Sequence, residues 1–256
     1  SEDVGNYQNN TINPAVEGTH RFLKDILEEL SEIFSFNIIH VGVDERPKES
    51  WEGSPKVIEY MKKNGIGSFD ELQDEYMNNI INILKKSNKL TAAWNEAALP
   101  PHNDIGSAGS AGKIDKSCII FAWEHPDVGI MSAKKGFKTV LCPGHKTYFD
   151  MAHNNSTYER GICWAATIEV KQVFDWEPLK DFATKDLDNV LGIQGQLWSE
   201  TITDKDYFDK MINPRLATLA EIAWCSKAKR PWAQFRSSLL HNLDYLSKLG
   251  WNFHNF

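Results

Sequence analysis

Cysteine is scarce and scattered in this chain. Its four cysteines, Cys118, Cys142, Cys163 and Cys225, show no CxxC spacing, which argues against a zinc site. Cys118 and Cys142 fall in apolar, strand-like runs and read as buried thiols. Cys163 is left as a disulfide candidate for which the spacing names no partner. There is no apolar run of about 18 residues, so no transmembrane helix is expected. Positive charge is not in excess either: the net charge is −7 and no basic stripe is present, against a nucleic-acid or anionic-membrane partner. Neither HxH nor HExxH spacing occurs, and His102, His125, His145 and His153 read as loop residues. A metal-dependent hydrolase is therefore poorly supported, and no metal or cofactor is expected. The opening SEDVGNYQNNTINP lacks a charged n-region and an apolar h-region, so it reads as an internal loop of a longer precursor and not as a signal peptide. Asn9, Asn154 and Asn155 fit the glycosylation pattern, which arises by chance too often to fix a compartment.

What is abundant is tryptophan. Nine in 256 residues suggests that several line a binding surface, because large half-wet rings suit the C–H faces of sugars. The apolar share of 41% and charged share of 25% are those of an ordinary soluble globular chain. Along it, helical and strand patterns alternate. Asn13-Pro14 reads as a helix start, followed by Phe22, Leu23, Ile26, Leu27, Leu30 and Ile33 at helical spacing. NIIHVGV (37–43) reads as a buried strand. Ser54-Pro55 opens a second helix, and Ser68 with Glu71 forms a capping box for a third, reaching about Ser87. LTAAW (90–94), CIIFAW (118–123), FKTVL (137–141) and VLGIQGQLW (190–198) read as further strands, with a short helix over 127–135. Two helical segments close the chain, around 205–225 and 231–249. The long connections 100–117 and 144–189 are candidate functional loops.

This βαβα order predicts a parallel sheet wrapped by helices, an α/β fold of the (β/α)8 TIM-barrel type. Five strand candidates are visible, so about three of a barrel's eight would lie before residue 1. In such a barrel the C-terminal strand ends share the face that carries chemistry. Here those ends are decorated: Asp44-Glu45, Trp94 with Glu96, Trp123, Tyr148 with Asp150, and Trp198 with Glu200. Carboxylates accept hydrogen bonds from hydroxyls and amides, and aromatic walls exclude water, which together describe a polyol pocket. Each residue also has a plain reading, a core tryptophan or a solvated acid. For His40 a hydrogen-bonded buried imidazole is at least as good a reading as a catalytic one.

HVGVDE at 40–45 resembles the H-x-G-G-D-E signature of family 20 glycoside hydrolases, the β-N-acetylhexosaminidases. INPAVEGTHRFLKDILEEL, TAAWNEA, FAW, TVLCPGHKTYFD, GIQGQLWSE and NPRLATLAEIAW resemble further blocks of that catalytic domain in the same order. The resemblance covers nearly the whole chain. It implies Glu45 as general acid/base and Asp44 as the group that orients the substrate's 2-acetamido group. The acetamide oxygen attacks the anomeric carbon, giving an oxazolinium and net retention, an exception to the two-carboxylate scheme. It further implies Tyr148 on the acetamido carbonyl, Trp94, Trp123 and Trp198 as a box, His40 beside the substrate, and Asp150 and Glu200 on sugar hydroxyls. Trp51 is implied, more weakly, as a contact to a second sugar. An amino-sugar oligosaccharide or glycoconjugate substrate, exo-action and an extracytoplasmic setting follow from the resemblance alone. Asp44 beside Glu45 disfavours a second negative charge and would keep a proton available. Val43 stands where the signature has its second Gly, which predicts a slightly altered strand end.

Two alternatives stand beside this reading. One is an inactive or carbohydrate-binding-only fragment. The other is a barrel glycosidase whose nucleophile, Asp150 or Glu200, would lie about 5–5.5 Å from Glu45.

Overall fold

The computed structural model describes residues 11–100, 107–225 and 231–256; Asn9 and His102 lie outside them. Five parallel strands make the expected α/β architecture. They are β1 (Ile38–His40), β2 (Leu90–Trp94), β3 (Ile119–Ala122), β4 (Thr139–Leu141) and β5 (Val190–Ile193), hydrogen-bonded in that order. Registers are clear at the start of the sheet: Ile39 pairs with Thr91, and Ala93 with Ile120. The chain divides into two units, Ser1–Thr139 with Asp188–Val190, and Val140–Leu187 with Leu191–Phe256.

In the first unit, α1 (Glu17–Ile33) and α3 (Phe69–Lys86) pack together, and α3 covers β2. Met77, Ile80, Ile81 and Leu84 of α3 are buried with Ala93, Ile120, Ala122 and Phe137. The small alanines of β2 let the helix approach the sheet closely. Ser68 caps α3 by accepting from the Glu71 N–H at 3.1 Å, while the Glu71 carboxylate reaches back to accept from Gly67 N at 2.8 Å. Pro55 opens α2 (Pro55–Asn64), and Gly65 at φ 67° closes it, the usual division of labour between those residues. Helix α4 (Pro126–Lys134) starts at His125, whose Nδ1 accepts from Asp127 N. Lys89 donates to the carbonyls of Phe34 and Phe36 at 2.7 and 2.6 Å, tying down the turn that enters β1.

In the second unit, α5 (Gly144–Thr147) and α6 (Val170–Asp175) break up the long connection after β4. Helices α7 (Lys205–Ile212), α8 (Arg215–Trp224) and α9 (Trp232–Lys248) follow. Phe174 of α6 stacks on Phe235 of α9 with centroids 5.0 Å apart. No helix among the described residues is long and apolar enough to cross a membrane.

Several expectations shift. The first helix begins at Glu17, and Asn13 instead closes a local turn onto Ala15 N. β1 is shorter than 37–43 and is not buried: Ile38 is 47% exposed. Only Leu27 of α1 is buried, although its apolar residues recur at helical spacing. The 205–225 segment splits at Asn213-Pro214, where proline has no N–H with which to continue the helix. β5 stops at Ile193, short of Trp198. Cys118 and Cys142 are buried thiols as expected, and Cys163 is a free, exposed thiol rather than half of a disulfide.

Leu84, fully buried between α3 and the sheet, gives a direct check on this packing. Leu84→Ala is expected to lower the urea-unfolding free energy by about 2–5 kcal/mol. A loss under about 1 kcal/mol, ordinary for a surface position, would place Leu84 outside the core.

Candidate active site

The turn after β1 carries the Asp44-Glu45 pair. Gly42, Val43 and Glu45 have φ of 75°, 74° and 50°, a left-handed run that glycine enters freely and branched residues rarely do. Val43 therefore holds a backbone conformation that glycine adopts freely. Three contacts over-determine the turn. Trp94 N donates to Gly42 O at 3.0 Å, and Ala108 N to Arg46 O at 2.7 Å. Glu45 N donates to Oε1 of Glu96 at 3.3 Å. Asp44 is exposed and Glu45 half-buried. His40 lies edge-on to Trp94 and Phe121, with centroids 4.7 and 4.9 Å away, and its Nδ1 accepts from Gly42 N. Burial lowers the His40 pKa to about 4, although the residue as a whole is exposed.

Glu96 follows β2 directly and is wholly buried. Its Oε2 accepts the indole N–H of Trp123 at 2.9 Å, and its carbonyl accepts from Gln73 at 2.8 Å. Gln73 in turn accepts Arg46 Nε at 2.6 Å. The neighbouring Asn95 donates to Glu124 at 2.6 Å and accepts Trp123 N at 3.1 Å. Burial pushes the Glu96 carboxyl up to about 8; the like charges of Glu124 and Asp44 add to this and the Trp123 bond opposes it. The surrounding protein also raises Asp44. A buried carboxyl beside like charges keeps a proton that an isolated one would release, as Glu96 does.

The second unit holds Tyr148, Asp150, Trp164 and Trp198. Phe149 N donates to Gln196 O at 2.7 Å, and Gln196 N to Thr147 O at 2.9 Å, so the strip carrying Tyr148 is stitched to the segment leading to Trp198. Tyr148 lies 5.7 Å from the ring of Trp164 and 6.3 Å from that of Trp198. Trp198 is 42% exposed. A Cβ on Gly144 would sit 2.5 Å from Trp164, so glycine there is what admits the indole. Asp150 accepts Trp198 N at 3.4 Å. Burial lifts its carboxyl to about 6, and the charge of the exposed Glu200 adds to that. Arg215, fully buried, donates to the carbonyls of Phe149, Met151, Ile168 and Met211. It thereby clamps the backbone between Tyr148 and Asp150.

The structure thus groups His40, Trp94 and Trp123 with the Asp44-Glu45 turn in one unit, and Tyr148, Asp150, Trp198 and Glu200 in the other. Trp51 does not fit its expected role. It is 4% exposed, donates to Ile12 O and lies under the Arg46 guanidinium at 4.2 Å, a core position with no face left for a sugar. Sequence reasoning passed over Trp164, Glu124 and Arg215. Trp164 carried no local motif, Arg215 fell within the block NPRLATLAEIAW without being singled out, and Glu124 was legible only as the residue after the third decorated strand end.

Among the described residues, His153, Glu159 and His254 could present ligand atoms to a metal, one from each within 4.8 Å of the others. The two imidazoles stack 3.7 Å apart and 3° from parallel. A metal binds in the plane of each ring, so parallel rings cannot both aim at one ion without turning. After burial, the charge of Arg215 is among the causes holding both histidines neutral, and it would repel a cation too.

Comparison with known proteins gives these pieces a setting. Residues 1–227 match the family model "Glycosyl hydrolase family 20, catalytic domain". A β-hexosaminidase of Vibrio furnissii is 34% identical over 216 residues, 84% of this chain and 34% of that protein. One of Porphyromonas gingivalis is 27% identical over 240 residues, 93% of this chain and 29% of that protein. A crystal structure of the family 20 exo-β-N-acetylglucosaminidase of Vibrio harveyi, in complex with N-acetylglucosamine, superposes with a TM-score of 0.87. It is 31% identical, over 96% of this chain and 37% of that one. The chain spans about a third of the length of the curated relatives named here.

The raised Glu96 pKa has a measurable consequence for stability. Its ordinary value is 4.5 and its folded value about 8. Between them the folded state holds a proton that the unfolded state has released, so this contribution is complete below 4.5 and is lost as pH rises through 8. One such group gives a slope of up to about 1.4 kcal/mol per pH unit. From about pH 5 to about pH 7.5, the unfolding free energy of Glu96→Gln should gain at least about 1 kcal/mol on the wild type. A difference that does not move with pH contradicts the assignment.

Proposed function

The chain belongs to glycosyl hydrolase family 20, and from that premise we propose that it removes terminal β-linked N-acetylglucosamine or N-acetylgalactosamine from the non-reducing end. The acetamido oxygen of the substrate forms a bond to the anomeric carbon as the glycosidic C–O bond breaks. Glu45 passes its proton to the departing oxygen. Water then attacks the anomeric carbon, Glu45 takes back a proton, and the acetamide is restored with net retention. Asp44 holds the acetamido N–H and offsets the positive charge that develops as the ring closes, which is electrostatic preorganisation. Tyr148 donates its hydroxyl hydrogen to the acetamido oxygen. Trp94, Trp123 and Trp198 offer apolar faces to the sugar, with His40 beside them, and Asp150 and Glu200 accept from its hydroxyls.

One observation carries the reading. The Asp44-Glu45 pair sits in a strained, over-determined turn at a strand end, and non-glycine residues held in such conformations cluster where mechanism needs fixed geometry. The bound N-acetylglucosamine of the Vibrio harveyi relative supports the sugar class.

p-Nitrophenyl N-acetyl-β-glucosaminide should be hydrolysed and the matching glucoside, which has no acetamide, should not. Glu45→Gln is expected to lower kcat by roughly 10²–10⁴ with little change in binding. Asp44→Asn should impair acetamido substrates severely; an unchanged rate would rule out the assisted route. A thiazoline mimic of the cyclised acetamide should inhibit tightly, and failure to do so would favour a carboxylate nucleophile.

A further inference from the structure

We propose that Glu96 is a positioning residue for the proton-transfer step, its carboxyl group holding the backbone from which Glu45 reaches the glycosidic oxygen. The inference rests on Glu45 being the acid/base. Glu96 occupies the point where the ends of β1, β2 and β3 come together in the first unit. Its two oxygens are divided between them: Oε1 takes the Glu45 N–H and Oε2 the Trp123 indole N–H. It has no access to solvent, so water cannot stand in for either donor. Its own backbone is pinned through Gln73 to Arg46, the residue after Glu45. Few side chains could replace it. Even with its proton the carboxyl keeps a lone pair on each oxygen, whereas glutamine puts an NH2 that cannot accept in place of one of them, and alanine offers nothing.

The turn needs this restraint. Glu45 is held at φ 50°, a conformation that non-glycine residues leave unless their surroundings fix them. Releasing the Glu45 N–H frees the residue that must place a carboxylic acid against the glycosidic oxygen. A displacement of about 1 Å at such a group can cost about 10²-fold in rate. That loss should appear only when the leaving group needs a proton. The raised pKa of Glu96 accords with a water-free position, beside the geometry of its two bonds.

The test compares two aryl N-acetyl-β-glucosaminides with the full chain. A dinitrophenyl leaving group departs unaided, whereas a p-methylphenyl leaving group must be protonated. Glu96→Gln and Glu96→Ala should lower kcat/KM on the methylphenyl glycoside by about 10²-fold, and on the dinitrophenyl glycoside by at least about tenfold less. A merely structural defect lowers both alike, through the folded fraction. Equal losses, or no loss, in an active protein overturn this inference alone. A wild type inert on both glycosides overturns the acid/base reading and takes this inference with it. Should the alanine variant fail to fold, the near-isosteric glutamine variant decides by the same ratio.

Discussion

A carboxyl group sealed from water must find donors among protein groups, keep its proton, or do some of each. Glu96 is in that position, and much of the first unit is arranged around it. The backbone N–H of Glu45 and the indole N–H of Trp123 are donors it can reach. Glu124 and Asp44 supply like charge nearby. One buried side chain thus bonds both the strained turn and the Trp123 indole, and burial raises its pKa. Placing an acid there costs stability at neutral pH and gains a fixed geometry, the exchange expected where function and stability compete.

The second unit solves the opposite problem with a buried cation. Arg215 meets four backbone carbonyls around the strip that carries Tyr148 and Asp150. Burial brings its pKa down to about 9, still high enough for the guanidinium to remain charged at neutrality. Carbonyls in an irregular segment need donors that no helix or sheet provides, and a planar fork of N–H groups supplies several at once. Each unit thus presents its candidate residues on irregular backbone stabilised from behind by a buried ionisable group.

The strands and the order of helices were legible in the sequence because their signals are local. LTAAW is β2 residue for residue, and Ser68, Pro55 and Gly65 mark helix ends by short-range chemistry. The Asp44-Glu45 pair was legible through its place after a strand and its resemblance to a known signature. Burial was harder to read. The run NIIHVGV looks buried by composition, yet Ile38 and His40 are exposed. Trp51 looks available in a loop, yet Arg46 and the Ile12 carbonyl hold it in the core. Glu96 could be marked as a strand-end acid. That it bonds a backbone N–H 51 residues away is a tertiary fact with no sequence period, and the same holds for the His153–His254 stack.

The most direct measurement is an NMR titration of the Glu96 side-chain carboxyl, assigned by the signal that disappears in Glu96→Gln. A dry carboxyl among like charges should titrate with a midpoint near 8. A midpoint at or below the ordinary 4.5 would mean that water or a cation reaches it, and the account of the turn built on its burial would fail.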